Sequence, residues 1–213
     1  MASALGRTRE EPIEDLASLE LGVRIDQPGS VLRDFQTERP AKGKPLPLSN
    51  RYYLSDAKFL VALGGPLPLL QGIDNALRKP VWPLYLGRRS CPPDVPVTLG
   101  IRKDCNDVRE ALRAESWLAS ENYKKRNPEI TELEIVCDGR DGELCESQGD
   151  YPVSFSLTGR RYLCRPVIRT SIPLPGTGDS GAGSSEEVSD APREGVGSCA
   201  PRAVDDHDPM GFF

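Results

Sequence analysis

The chain is 213 residues long, with 38% hydrophobic residues, 20 glycines, 20 prolines and a formal charge of −5. That length suits one domain with appendages, and the low apolar content with so much Gly and Pro implies that part of the chain does not pack. The charge is uneven: residues 171–213 carry eight acids against Arg193 and Arg202, a local −6, whereas from Arg24 to Lys103 thirteen Lys and Arg face six Asp and Glu, a local +7, so a polyanionic partner is not excluded by the net acidity.

Ile13 to Leu19 has the spacing of a short amphipathic helix, and Leu21, Val23 and Ile25 alternate with Gly22 and Arg24 as in a half-buried strand. Asp26-Gln27-Pro28-Gly29 reads as a turn, and Val31 to Phe35 leads outward from it. From Glu38 to Asn50 the breakers Pro40, Gly43, Pro45 and Pro47 alternate with Arg39, Lys42 and Lys44, which predicts either an unstructured connection or a functional protrusion. Arg51-Tyr52-Tyr53-Leu54 opens the next strand, which continues with Phe59, Val61 and Leu63 on one face and Lys58 and Leu60 on the other. Arg and paired tyrosines at a strand entrance suit base stacking, and cross-strand packing of Tyr explains them equally well.

Leu69, Leu70, Ile73, Ala76 and Leu77 predict a helix over 67–77 that Pro80 stops. The apolar stretch of 69–70 belongs to the best hydrophobic run of the chain, Phe59 to Leu70, and Gly64, Gly65, Pro66 and Pro68 break that run below the ~20 residues a membrane helix needs, so no membrane partner is expected. Val95, Val97, Leu99 and Ile101 alternate as a further strand. Asn106 is placed to cap a helix from Asp107 to about Tyr123, ending in the basic cluster Lys124-Lys125-Arg126, which suits a helix C-terminus and less directly an RNA. Leu133, Ile135 and Cys137 predict a strand, and 151–157 and 161–175 predict two more, rich in arginine. Gly, Ser, Asp and Glu dominate from Pro175 onward, so 176–213 is expected to be a disordered acidic tail, whose end from Asp205 to Phe213 is either an idle solvated segment or a docking peptide.

Cysteines stand at 91, 105, 137, 145, 164 and 199 without any C-x-x-C, and the one histidine, His207, is in the tail. No metal set and no cofactor is expected from that spacing. The opening MASALGRTREEP has no apolar core of a secretion signal, so the thiols are expected to be reduced and the protein cytoplasmic.

Lys79 to Pro93 holds the strongest candidate site. Gly87 allows a tight turn or a close approach, and Arg88 and Arg89 follow it at once with two planar forks suited to phosphates, with Ser90 beside them. Trp82 and Tyr85 in the same stretch are of a kind to stack on bases, although arginine pairs are commonly solvated and large aromatics commonly belong to a core.

The segment PLYLGRRSCP, Pro83 to Pro92, resembles the signature of the CRISPR-associated CasD family, the subunit of the subtype I-E Cascade complex that holds the 5′ handle of the guide RNA. VLRDFQT (31–37), RYYLSDAKFLVAL (51–63) and ALRKPVWP (76–83) agree with it in order. The resemblance implies an α+β architecture: a ferredoxin-like, RRM-like RAMP domain over 1–103 with a thumb insertion at about 33–51, then a small, variable β-rich part over 104–175. It also implies that the family's first strand is missing here, because family members usually open on a G-P-x-Q-S-W-G-like strand. Carried to these positions, it implies that Gly87, Arg88, Arg89 and Ser90 grip the handle while Arg33, Lys42, Lys44, Arg51, Tyr52 and Tyr53 line the adjacent strand and thumb. The implied partners are the handle of the CRISPR RNA and the backbone and large subunits of Cascade, in antiviral defence. Some relatives cut repeat RNA without metal, but such cleavage uses a group titrating near neutrality, most often His, and none lies before the tail; a binding role without catalysis is therefore the expectation, with a metal-independent endoribonuclease as the alternative.

Overall fold

The computed structural model describes residues 1–37, 41, 43, 44 and 47–174; Lys42 and the tail expected from 176 lie outside them. Eleven elements follow one another among these residues: α1 (Glu14–Ala17), β1 (Glu20–Gln27), β2 (Ser30–Gln36), β3 (Ser49–Ser55), β4 (Lys58–Gly64), α2 (Leu67–Arg78), α3 (Val108–Ala114), α4 (Glu121–Arg126), β5 (Glu132–Asp138), β6 (Glu146–Ser154) and β7 (Arg161–Pro173). The architecture is the expected α+β, with an antiparallel five-stranded sheet in the order β4-β1-β5-β7-β6 and a separate β2-β3 hairpin. The sheet runs across residue 103, since β1 pairs with β5 through Gly22↔Cys137 and Arg24↔Ile135.

One face of the sheet buries. Leu60 of β4, Leu133, Ile135 and Cys137 of β5 and Ile172 of β7 pack with Val108 and Leu112 of α3. Gly22 of β1 lies under that helix: a Cβ there would run into Val108 and Leu112, so glycine sets how closely α3 approaches. Phe59 and Val61 alternate as expected, but they lie on the opposite face and are 45% and 53% exposed. A second cluster joins Leu16 and Leu19 to Ile73, with Leu69, Leu70 and Leu77 of α2 around it.

Four expected elements differ. The strand expected to run from Arg51 through Leu63 is two strands in two sheets, because Asp56 takes a left-handed φ of +57° and Gly29, at φ +76°, packs opposite it against Ser55 and Ala57. The alternation at 95–101 forms no strand: Pro96 removes a donor between Val95 and Val97, Thr98 spends its hydroxyl on Asp74 of α2, and Val95, Val97 and Leu99 stay exposed. The helix expected over 107–123 splits into α3 and α4, because a buried pair from β1 takes the bonds its middle would need. The Arg24 guanidinium donates to the carbonyls of Leu112, Glu115 and Ser116, and the Asp26 carboxylate accepts from the Leu118 N–H. Each half has its own cap, Asp107 accepting from Glu110 N–H and Ser120 from Tyr123 N–H. The strand expected at 151–157 begins earlier, at Glu146, and its Pro152 sits at the outer edge of the sheet, where a missing donor costs no ladder bond inside the sheet.

Candidate nucleic-acid interface

The Gly-Arg-Arg segment lies on an irregular loop that is closed by its own backbone. Leu86 N–H donates to Cys91 C=O at 2.8 Å and Cys91 N–H returns to Arg88 C=O at 2.9 Å. Gly87 makes this turn with φ +78° and no atom within 4 Å of where a Cβ would stand, so the conformation and not crowding requires glycine. Both ends of the loop are tied down. Val81 N–H donates to Ala4 C=O at 3.0 Å, and at the far end the Thr98 hydroxyl donates to Asp74 at 2.6 Å while Arg78 takes the other oxygen of that carboxylate. These two bonds, the arginine's first, hold the Asp74 carboxyl below its usual range, so the staple is an ionised one. Gly87, Arg88, Arg89 and Ser90 are all exposed, as are Trp82, Tyr85 and Leu86.

The hairpin divides the remaining predicted residues between two faces. Cross-strand register places Arg33 opposite Tyr52 and Asp34 opposite Arg51. Successive side chains of a strand alternate, so Arg51 and Tyr53 share one face, while Arg33 and Tyr52 share the other with Val31, Phe35 and Leu54. Arg33 is also engaged, donating to Asn50 at 3.0 Å. The Arg51–Tyr53 face is the one that meets the loop: the Arg88 guanidinium stands over the Tyr53 ring, 5.8 Å from its centroid. Arg33 and Tyr52 therefore do not join the cluster that contains Arg88. Lys44 is exposed in the hairpin connection.

Electrostatics separates these arginines from many of the others. Arg7, Arg24, Arg78, Arg102, Arg109, Arg140, Arg165 and Arg169 each meet a carboxylate. The side chains of Arg51, Arg88 and Arg89 have no carboxylate or hydrogen-bond partner among the described residues. Arg9, Arg113, Arg126, Arg160 and Arg161 are also unmatched among the described residues, but they stand in the N-terminal segment, on α3, at the end of α4 and at the β6–β7 connection. The guanidinium groups of Arg88 and Arg89 on the loop can donate to phosphate oxygens without first breaking an internal ion pair, and Arg51 on the strand beside them faces Asp34 across the hairpin. No group of three or more potential metal ligands occurs among the described residues. Sequence reasoning missed the anchors Asp74, Arg78 and Thr98; the i,i+4 spacing of Asp74 and Arg78 was visible, but the partner twenty-four residues on was not.

Residues 1–168 match the family described as CRISPR-associated protein (Cas_Cas5). A solved structure described as a crystal structure of Cas protein is 32% identical, with a TM-score of 0.61 over 82% of this chain and 78% of that chain. A second, described as a CRISPR RNA-guided surveillance complex, is 29% identical, with a TM-score of 0.60 over 83% of this chain and 76% of that one. No curated protein sequence matches. A family match over most of the chain, on a fold and a sequence shared with solved Cas proteins, places this chain in the CRISPR-associated Cas5 family, of the CasD type.

Proposed function

We propose that the chain is the subunit of a subtype I-E Cascade complex that holds the 5′ handle of the guide RNA, without cutting it, and that it sits there against the backbone and large subunits. The observation that carries this reading is the convergence of unpaired arginines: Arg88 and Arg89 on an anchored loop, with Arg88 resting on the hairpin face that also carries Arg51. Such a surface grips a sugar-phosphate chain by charge and by bidentate forks. The likeness to a chain of an RNA-guided surveillance complex supports the choice of a CRISPR RNA over other polyanions. The absence of a histidine before residue 207 favours holding over cleavage, because Tyr and Lys ordinarily titrate near 10.

The test is a salt series of RNA binding. Each phosphate contact to a single strand contributes about 0.7 to the slope of log affinity against log salt. Arg88→Ala with Arg89→Ala should lower the slope by about 1.4, so that between about 50 and 200 mM KCl the wild-type chain loses about sevenfold more affinity than the variant. Fluorescence anisotropy with a labelled RNA carrying the repeat-derived 5′ end reads this directly. Equal slopes would remove both arginines from the site. Specific cleavage of a repeat RNA by the purified chain in EDTA would instead favour the endoribonuclease.

A further inference from the structure

We infer that Tyr53 is a positioning residue for Arg88: its ring holds the guanidinium above it, so that the loop and the hairpin grip one strand as a single unit. The inference rests on the RNA-holding role proposed above.

A guanidinium has two distinct surfaces. Its faces are attracted to an aromatic ring, and its N–H donors lie in the plane and point outward from the edge. With the guanidinium carbon over the Tyr53 ring, 5.8 Å from its centroid, the ring attracts the cation, and the Arg88 side chain has no hydrogen bond or ion pair among the described residues. The in-plane donors therefore remain available for two parallel bonds to a phosphate. An arginine next to Gly87 would otherwise sweep a wide arc, since that glycine stands in open space. Tyr53 is not free to follow it. The ring projects from the middle of β3, which pairs with β2 at seven successive positions from Ser30↔Ser55 to Gln36↔Ser49. Tyr53 is half-buried, whereas Tyr52 and Leu54 on either side of it are exposed. Ordering a long side chain before the ligand arrives lowers the entropy that binding must overcome.

The experiment compares variants of the full chain by anisotropy with the labelled single-stranded RNA described above, over a KCl series. Tyr53→Phe, which keeps the ring, should bind as the wild type does. Tyr53→Leu should bind about two- to fivefold more weakly, with a salt slope lower by about 0.7. Tyr53→Thr, a residue at home in an exposed strand, makes the same comparison should the leucine variant misfold. Because the ring acts through Arg88, the double variant Tyr53→Leu with Arg88→Ala should bind no more weakly than Arg88→Ala alone. Leu54→Ala, on the opposite face of the same strand, should leave the slope unchanged. The inference is overturned if Tyr53→Leu matches the wild type, if its loss adds in full to that of Arg88→Ala, or if Leu54→Ala lowers the slope equally. Failure of the wild-type chain to bind the RNA, or indifference to Arg88→Ala with Arg89→Ala, would instead overturn the parent reading.

Discussion

Replacing Arg24 with Met should be among the most damaging single changes in this protein, although the side chain touches no solvent and no ligand. Its exposure is 0%, and it makes two bonds to Asp26, at 2.6 and 2.8 Å, and three to carbonyls of the α3–α4 connection. Methionine fills the volume but leaves Asp26, 1% exposed, with the Leu118 N–H as the donor that remains to its carboxylate, and it orphans the carbonyls of Leu112, Glu115 and Ser116. Removing one partner of a buried pair costs about 3–5 kcal/mol, a large part of a typical total stability of about 5–15 kcal/mol. Urea unfolding followed by circular dichroism should therefore show the midpoint falling by about a fifth or more at unchanged m. Adding Asp26→Leu removes the stranded charge and should recover about 1–2 kcal/mol, because a buried pair replaced as a whole is far less costly than a broken one. A loss under about 1 kcal/mol for Arg24→Met alone would refute the argument, since it would mean that the orphaned groups find other partners or water.

Gly22→Ala forces a methyl group into Val108 and Leu112 and should cost about 1–3 kcal/mol in the same assay, by lifting α3 off the sheet. Gly87→Val should weaken RNA binding while Gly87→Asn is tolerated, because the φ of +78° excludes a β-branched residue and admits asparagine; equal affinities would mean that the turn is not what presents Arg88. Glu143, doubly bonded to Arg109, has its carboxyl lowered from 4.5 to about 2, so its contribution to stability is fully present above about pH 4.5 and is lost as pH falls through about 2. Glu143→Gln should accordingly flatten the fall of thermal midpoint over that acid window, and an unchanged profile would mean that the pair is screened by solvent.

Periodicity was a good guide wherever one neighbour decided the outcome. Leu21 to Ile25, Leu67 to Leu77 and Leu133 to Cys137 fell into the expected elements because a single buried face or stripe specifies each. It failed where a distant residue intervened. Nothing between 107 and 123 announces a break, since the groups that end α3 belong to Arg24 and Asp26, about ninety residues earlier. In the same way Arg33, Arg51, Tyr52 and Tyr53 looked like one basic, aromatic cluster in one dimension. Only the register of β2 against β3 shows that two of them face Arg88's side of the hairpin and two face away. The Gly-Arg-Arg turn itself was legible, because glycine before two forks is a local statement; its anchoring through Thr98 to Asp74 was not, because it depends on how the chain returns to α2.

The end of β1 ties the sheet to the grip. Arg24, Asp26 and Gln27 are buried polar residues within four positions, and a strand that only had to pack would place apolar side chains there. Arg24 and Asp26 stop α3. Gln27, next in line, donates its amide to Asp56 C=O at 2.6 Å, at the base of the hairpin, and accepts from the Ser120 N–H and hydroxyl at 3.1 Å, at the cap of α4. The left-handed turn at Asp56 that separates β3 from β4 is therefore pinned from the sheet side by one amide. This arrangement accounts for the polar character of the strand end: such bonds contribute only about 1 kcal/mol each to stability, but they are directional, and direction is what a hairpin needs if the ring of Tyr53 is to stand under an arginine from another part of the chain.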